Sequence, residues 1–328
     1  MSKNPDIPVW IVSVRKTGHI NQCLALADAL GLHPDRTILI DGKAAADRPG
    51  RKQLLRVLTP WQVFRALLRH RPPRPLVILS SGRSAIAPCR IWRHRLRRDL
   101  FAIHVAQPRI STAFADILIA SRHQTAEGPA DAGRVLSVDG VLARRAEIAS
   151  KPASGRHPVF LVGGKNTTYD YDGPAFRDAL DVMARTFADT TFRVVFSRRT
   201  FPRTEALIRD KLSGAGTRFV AVTDRDGFTR AIAEASHFVV CPDSITMVSE
   251  CCTTGRPVHA PAMDHLRADT ENARFIDHFV ADGYVAPLAV FDWTTRTRHL
   301  SDQAVAVARD VATDMAAWRA SLRHSRPV

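Results

Sequence analysis

The sequence predicts an α/β protein made of two doubly wound, Rossmann-like parallel-sheet domains facing a cleft. Three observations predict it. Short apolar runs of strand length alternate with amphipathic helical stretches, which calls for parallel strands joined by crossover helices. The alternation stops in a polar segment from Asp139 to Pro158, carrying SKPASGRHP, and then restarts. The chain has 328 residues and is 45% hydrophobic, enough for two cores of ordinary size. The expected domains are 1–145 and 158–328, with a linker at 146–157 and a final helix free to pack back on the first domain.

In the first half, VWIVSV from Val9 is a strand and TGHINQCLALADALG a helix. Ile20, Leu24, Ala27 and Leu30 fall at helical spacing there, and Gly31 is its C-cap. RTILID and PLVILSSG are strands, SAIAPCRIWRHRLRRD is a helix, and LFAIHVAQP and ADILIAS are strands. A helical insert with one apolar face occupies residues 42–74. In the second half PVFLVGG, TFRVVFS, TRFVAV, HFVVCPDS and PVHAP are strands. Between them lie the helices PAFRDALDVMARTF, PRTEALIRDKL, DGFTRAIAEA and ITMVSECCTTG, and a last helix surrounds QAVAVARDVATDMAAWRASL.

Composition narrows the function classes. No apolar run approaches the roughly 20 residues that span a bilayer. The N-terminus lacks the features of a signal peptide, and the first strand at Val9 leaves no room for a transit peptide. The five cysteines form no C-x-x-C pair, so free thiols in a reducing cytoplasm are expected, with no disulfide frame and no zinc cluster. The net charge of +15 favours polyanionic partners: phosphorylated substrates, nucleic acid or anionic lipid. The basic residues are spread along the chain without a nucleic-acid-binding motif, so no specific nucleic acid is expected. RIWRHRLRRD from Arg90 reads either as a helix lying on an anionic membrane or as a core helix with a charged outer face.

Ligands of such sheets bind beyond the carboxyl ends of the strands, so candidate chemistry is sought in those loops. In CPDSITMVSECCTTGRPV, Asp243 or Ser244 can cap a helix whose first amides suit a phosphate. Glu250 follows Asp243 by about two turns, near the same face, where it can accept from both hydroxyls of a ribose. In VGGKNTTYDYD, Gly163 and Gly164 allow positive φ and close backbone approach, while Lys165 and Asn166 add a charge and hydrogen-bonding groups. Ser197, Arg198 and Arg199 of FSRRT suit a diphosphate. In the first domain Gly18 gives a tight turn and His19, at the helix start, is a candidate general base or a capping histidine. Gly82 and Arg83 follow one strand there, and Gln107 and Arg109 another.

Taken together, TGHINQ, SSGRSA, HVAQPR, GGKN, FSRRT and CPDSITMVSECCTTGRPV resemble one family from about Val9 to Pro287, the bacterial and plant "elongated mitochondria" family of mitochondrial fission proteins. Its members are similar to GT-B glycosyltransferases, in which the C-terminal domain holds a nucleotide-sugar donor. The resemblance implies that Gly163 and Gly164 approach the donor diphosphate, that Arg198 and Arg199 neutralise it, and that Glu250 meets the ribose. Met247 belongs to the same motif. Thr-Gly-His at Gly18 and His19 resembles the Gly-Gly-His turn of the glycosyltransferase that makes lipid II, whose histidine faces the acceptor. On this basis Gly18, Gly82, Arg83, Gln107 and Arg109 are assigned to the acceptor side and His19 to catalysis.

The resulting expectation is a metal-independent glycosyltransferase without cofactor. It would use a nucleotide-sugar donor and a cell-envelope, lipid-linked acceptor. The protein would be cytoplasmic, peripheral on the inner membrane. Asp170 and Asp172 have D-x-D spacing but lie in a loop, so no metal site is assigned to them. Two alternatives stay open: a catalytically silent GT-B-like scaffold, and a nucleotide-sugar 2-epimerase.

Overall fold

A computed structural model describes residues 7–40, 70–106, 110–125, 131–143, 155–214 and 216–324. Most of the expected 42–74 insert, residues 146–154 of the expected linker, and Gln107 and Arg109 lie outside the described residues. The chain divides into two compact units, Met1–Arg144 with Asp302–Val328, and Arg145–Ser301.

In the first unit the elements run β1 (Val9–Val14), α1 (Thr17–Ala29), β2 (Arg36–Ile40), β3 (Leu76–Ser81), α2 (Ile86–Leu96), β4 (Leu100–Val105), β5 (Ile117–Ser121), the single turn α3 (Arg122–Thr125) and β6 (Arg134–Val138). The strands form one parallel sheet in the order β2-β1-β3-β4-β5-β6. The alternation of β1 explains its two covered faces. Val9 and Ile11 enter one apolar core, and Trp10 and Val12 enter the other. The apolar residues of α2 settle how that basic helix is used. Trp92 and Leu96 are buried in the second core, so its apolar side faces protein; Arg93 also turns inward, donating to the Phe114 and Leu100 carbonyls at 2.8 Å, while Arg90 and Arg95 are exposed. Strand β6 was not anticipated. Its Arg134 is exposed while Leu136 and Val138 are buried, the pattern of an edge strand.

The second unit runs β7 (Pro158–Leu161), β8 (Tyr169–Asp170), α4 (Pro174–Thr186), β9 (Arg193–Val195), α5 (Pro202–Lys211), β10 (Arg218–Val220), α6 (Arg225–Glu234), β11 (His237–Val240), α7 (Ile245–Cys252), β12 (Val258–Ala260), β13 (Asp264–His265), α8 (Glu271–Ala281) and β14 (Ala286–Pro287). Its parallel sheet has the order β10-β9-β7-β11-β12-β14, and β8 pairs with β13 as a small antiparallel ribbon. Val159 and Leu161 of β7 face one core, Phe160 and Val162 the other. Helices α4 and α5 each open on a proline, whose missing N–H has no intrahelical acceptor to lose.

The last helix, α9 (Gln303–His324), belongs to the first unit. Ala304, Val307, Val311 and Met315 recur at helical spacing and enter the core around Val9 and Leu26. Arg134 binds Asp310 at 2.8 Å and Asp314 at 3.0 Å along its outer side. Among the described residues no helix is long and apolar enough to cross a membrane.

Three sheet histidines are held neutral by burial. His104 on β4 is pushed down to about 3 and His259 on β12 to about 4. His237 on β11 is lowered as well. Each must take up a proton on acid unfolding. Their contribution to stability is complete above the ordinary histidine value of 6.5 and is lost as pH falls toward about 4. Asp243 and Glu250, raised by burial, work against this trend. Denaturant midpoints are therefore expected to fall on acidification below pH 6.5. His259→Gln is expected to make the fall shallower, by up to about 1.4 kcal/mol per pH unit. An unchanged slope in that variant would refute the assignment of a neutral His259.

Candidate functional site

In the second unit the strand order reverses between β7 and β11, and in such sheets that is the position where ligands bind. The loops that follow β7 and β11 flank it, and together with the loop after β9 they are the ones singled out by sequence in this unit.

The two glycines have a different reason from the expected one. Neither Gly163 nor Gly164 has positive φ. A Cβ on Gly163 would lie 1.7 Å from Asp243 Oδ1, and one on Gly164 would lie 1.9 Å from the Arg199 carbonyl oxygen. Glycine is required because protein, on two sides, occupies the space a side chain would need. The loops are tied across this contact. Lys165 N–H donates to the Arg199 carbonyl at 2.9 Å. Ser197 Oγ and Thr200 Oγ1 both reach the Gly163 carbonyl, at 3.0 and 2.7 Å. Asn166 closes its own loop, accepting from the amides of Thr168 and Tyr169 at 2.7 and 2.6 Å.

Asp243 does not cap the helix, and its carboxylate is committed within the protein. It accepts from Gly164 N–H at 3.2 Å and from Tyr171 Oη–H at 2.7 Å, and it pairs with Arg199 Nη1 at 3.2 Å. Its own carbonyl accepts from Asn272 Nδ2 at 2.6 Å. Burial raises its pKa, while Tyr171, Arg199 and Gly164 pull it back. The expected placement of Asp243 and Glu250 together on one ligand-facing side is therefore corrected: Asp243 is the clasp that joins three loops. Arg199 is part of that clasp, and it also donates to the Lys165 carbonyl at 3.3 Å. Arg198 beside it is exposed.

Ser244 is the cap of α7, accepting from Met247 N–H at 3.4 Å. The first-turn amides of Ile245 and Thr246 have no intrahelical acceptor and carry the positive end of the helix dipole. Met247 packs against the core beneath them. Glu250, in the second turn, is half-buried. Its carboxylate has no hydrogen-bond or ion-pair partner among the described residues, and burial alone pushes it up to about 7. A carboxylate held this way has unused acceptor capacity.

In the first unit the order reverses between β1 and β3. Gly18 lies inside the first turn of α1, and it is not among the positive-φ glycines, so the expected tight turn is absent. Gly82 does need glycine: its φ is 87°, and a Cβ would lie 2.8 Å from the Val14 methyls. Arg83 is exposed in the short turn that follows. His19 is half-buried, with Nδ1 2.8 Å from Ser81 Oγ.

Sequence reasoning missed Tyr171, Asn272 and Ser81. Tyr171 stood between the two aspartates of the D-x-D spacing. Those aspartates are engaged locally, Asp170 accepting from Asp172 N–H at 2.9 Å and Asp172 pairing with Arg203 at 2.7 Å.

Comparison with known proteins agrees with this arrangement at the level of fold and family. The Acinetobacter baumannii MurG structure superposes with a TM-score of 0.52 at 13% identity, over 94% of this chain and 99% of that one. The UDP-GlcNAc 2-epimerase of Neisseria meningitidis, bound to UDP-GlcNAc, gives 0.57 at 12% identity, over 94% and 99%. Both place the chain in the GT-B fold. The mitochondrial fission protein ELM1 of Arabidopsis thaliana is 22% identical over 226 residues, covering 59% of this chain and 53% of that protein, about half its length. The family model for mitochondrial fission ELM1 matches residues 17–318, and the chain belongs to that family.

Proposed function

We propose that the second unit binds the nucleotide part of a nucleotide-sugar and that the protein transfers the sugar to an acceptor without a metal. The observation that carries this reading is Glu250. A half-buried carboxylate with no partner among the described residues sits in the second turn of the helix that opens at the strand-order reversal. The two hydroxyls of a ribose would supply the missing donors. The α7 amides and Arg198 would face the diphosphate, and Lys165 lies exposed on the neighbouring loop. Asp243, Gly163, Gly164, Asn166, Ser197 and Arg199 hold the loops in register.

In the proposed step the bond from the sugar's C1 to the diphosphate oxygen breaks and a bond from the acceptor oxygen to C1 forms. Negative charge develops on the departing diphosphate, where helix amides and a guanidinium stabilise it. The acceptor's proton passes to a general base, the role the sequence assigns to His19. The net charge of +15 favours an anionic surface as the acceptor's location. With Trp92 and Leu96 of α2 buried, attraction through that helix would be electrostatic and would weaken with salt.

The fold is shared with 2-epimerases, so the reaction has to be read from products. Calorimetry of the purified chain with UDP, GDP, ADP and CMP is expected to show one preferred nucleotide. UDP is tried first because the neisserial structure holds UDP-GlcNAc. Incubation with the matching nucleotide-sugar then separates release of nucleoside diphosphate, expected of a transferase, from a change at the sugar's C2, expected of an epimerase. Binding of none of the four by folded protein would favour the silent scaffold.

A further inference from the structure

The strand ends of the first unit carry two serine–histidine hydrogen bonds whose protons can be assigned. Ser81, the last residue of β3, is fully buried. Its Oγ lies 3.0 Å from the Val105 carbonyl oxygen and 2.8 Å from His19 Nδ1. A carbonyl oxygen only accepts, and a serine hydroxyl has one hydrogen to donate. That hydrogen goes to Val105. The bond to the imidazole therefore runs the other way, with His19 Nδ1–H donating to Ser81.

Ser80 repeats the arrangement one residue earlier. Its Oγ lies 3.1 Å from the Ile103 carbonyl and 2.8 Å from His104 Nδ1. By the same count His104 also holds its hydrogen on Nδ1. His104 is fully buried, packs edge-on against Phe114 at 5.6 Å, and has no partner for Nε2 among the described residues. A protonated Nε2 would be a buried donor without an acceptor, so His104 stays neutral and places no fixed cation beside His19.

We propose that Ser81 is a positioning residue: it selects the Nδ1–H tautomer of His19 and so makes Nε2 the basic nitrogen. The inference rests on the reading of His19 as the base and adds what orients it. A histidine side chain in water favours hydrogen on Nε2, so the fold has to impose the other form. Val105 anchors Ser81 through the sheet, and Gly82, with its positive φ, lets the chain leave β3 close against Val14.

The test is a long-range proton–nitrogen correlation spectrum of the imidazole rings in the ¹⁵N-labelled full chain, at a pH where histidine is neutral. The His19 signals are identified by their loss in His19→Gln. Wild type is expected to show a pyrrole-type Nδ1 and a pyridine-type Nε2. Ser81→Ala is expected to exchange the two patterns, and Ser81→Thr, which keeps the hydroxyl, to retain the wild-type one. A wild-type His19 protonated on Nε2 would overturn the proposal. So would a folded Ser81→Ala that keeps the wild-type pattern. If Ser81→Ala does not fold, the wild-type and Ser81→Thr spectra decide it by the same criterion. Nucleotide titration reports separately on function: the expected tautomer without nucleotide binding would retain the role of Ser81 and remove the reading of His19 as a base.

Discussion

Gly164→Ala is expected to destabilise the protein by about 3 kcal/mol, the upper end of overpacking costs, and to abolish nucleotide binding. The added methyl would sit 1.9 Å from the Arg199 carbonyl oxygen and 2.5 Å from Thr200 N. These are backbone atoms, which cannot turn aside as a side-chain tip can. The loop after β7 or the loop after β9 must move, and either movement breaks the Lys165–Arg199 bond and pulls Gly164 N–H from Asp243. Gly214→Ala is the control. Its nearest neighbour to a new Cβ is Thr217 Oγ1 at 4.0 Å, so a change within about 0.5 kcal/mol and unaltered nucleotide affinity are expected. Urea denaturation and calorimetry on both variants check the pair. Gly164→Ala with wild-type stability would mean the loops do not pack this closely.

Glu250→Gln is expected to act in opposite directions on the free and the liganded protein. Burial holds the Glu250 proton more tightly in the folded state than in the unfolded state, shifting its pKa from 4.5 to about 7. For this group the free protein loses stability as pH rises from 4.5 through about 7, and above that the loss is complete. Glutamine has no charge to bury. The unliganded variant is expected to be more stable than wild type at alkaline pH, by about 1–3 kcal/mol after allowing for partial exposure. The same substitution replaces a charged acceptor of two ribose hydroxyls by a neutral amide. Hydrogen bonds to a charged group contribute about 1.5–3 kcal/mol, so nucleotide affinity is expected to fall roughly 10- to 150-fold. A residue kept only for packing would not show both signs. Thermal melts with and without nucleotide measure them together.

Much of the fold was legible because the central strands are buried on both faces. VWIVSV, PLVILSS, LFAIHV and HFVV are mainly apolar, broken only by serine or histidine, and bounded by turn residues. The elements that escaped carry weaker signals. β6 shows only edge-strand alternation, and β14 is two residues long, Ala286–Pro287. Helix α8 places Ala273, Phe275 and Phe279 in the core within a run otherwise rich in charge, and no element was expected there. The site loops were legible because strand ends are punctuated by Gly, Pro, Asp and Ser. Their internal connections were not. Asp243 meets Tyr171 and Gly164 across separations of 72 and 79 residues, which no local pattern encodes. A glycine pair announces that something comes close without saying what. Here the close neighbours of Gly163 and Gly164 are Asp243 and the Arg199–Thr200 backbone. Glu250 was legible by position along its helix, but its unpartnered, half-buried state required the fold.

The central claim is that Glu250 marks a nucleotide site, and the most direct measurement is calorimetric titration of wild type and Glu250→Ala, side by side, with UDP. Saturable binding to wild type is expected, at one site per chain, with a loss of at least about tenfold in the variant, which should fold like wild type. Equal binding by the two proteins would contradict the assignment of Glu250. Absence of binding to wild type, for UDP and then for GDP, ADP and CMP, would contradict the nucleotide site itself.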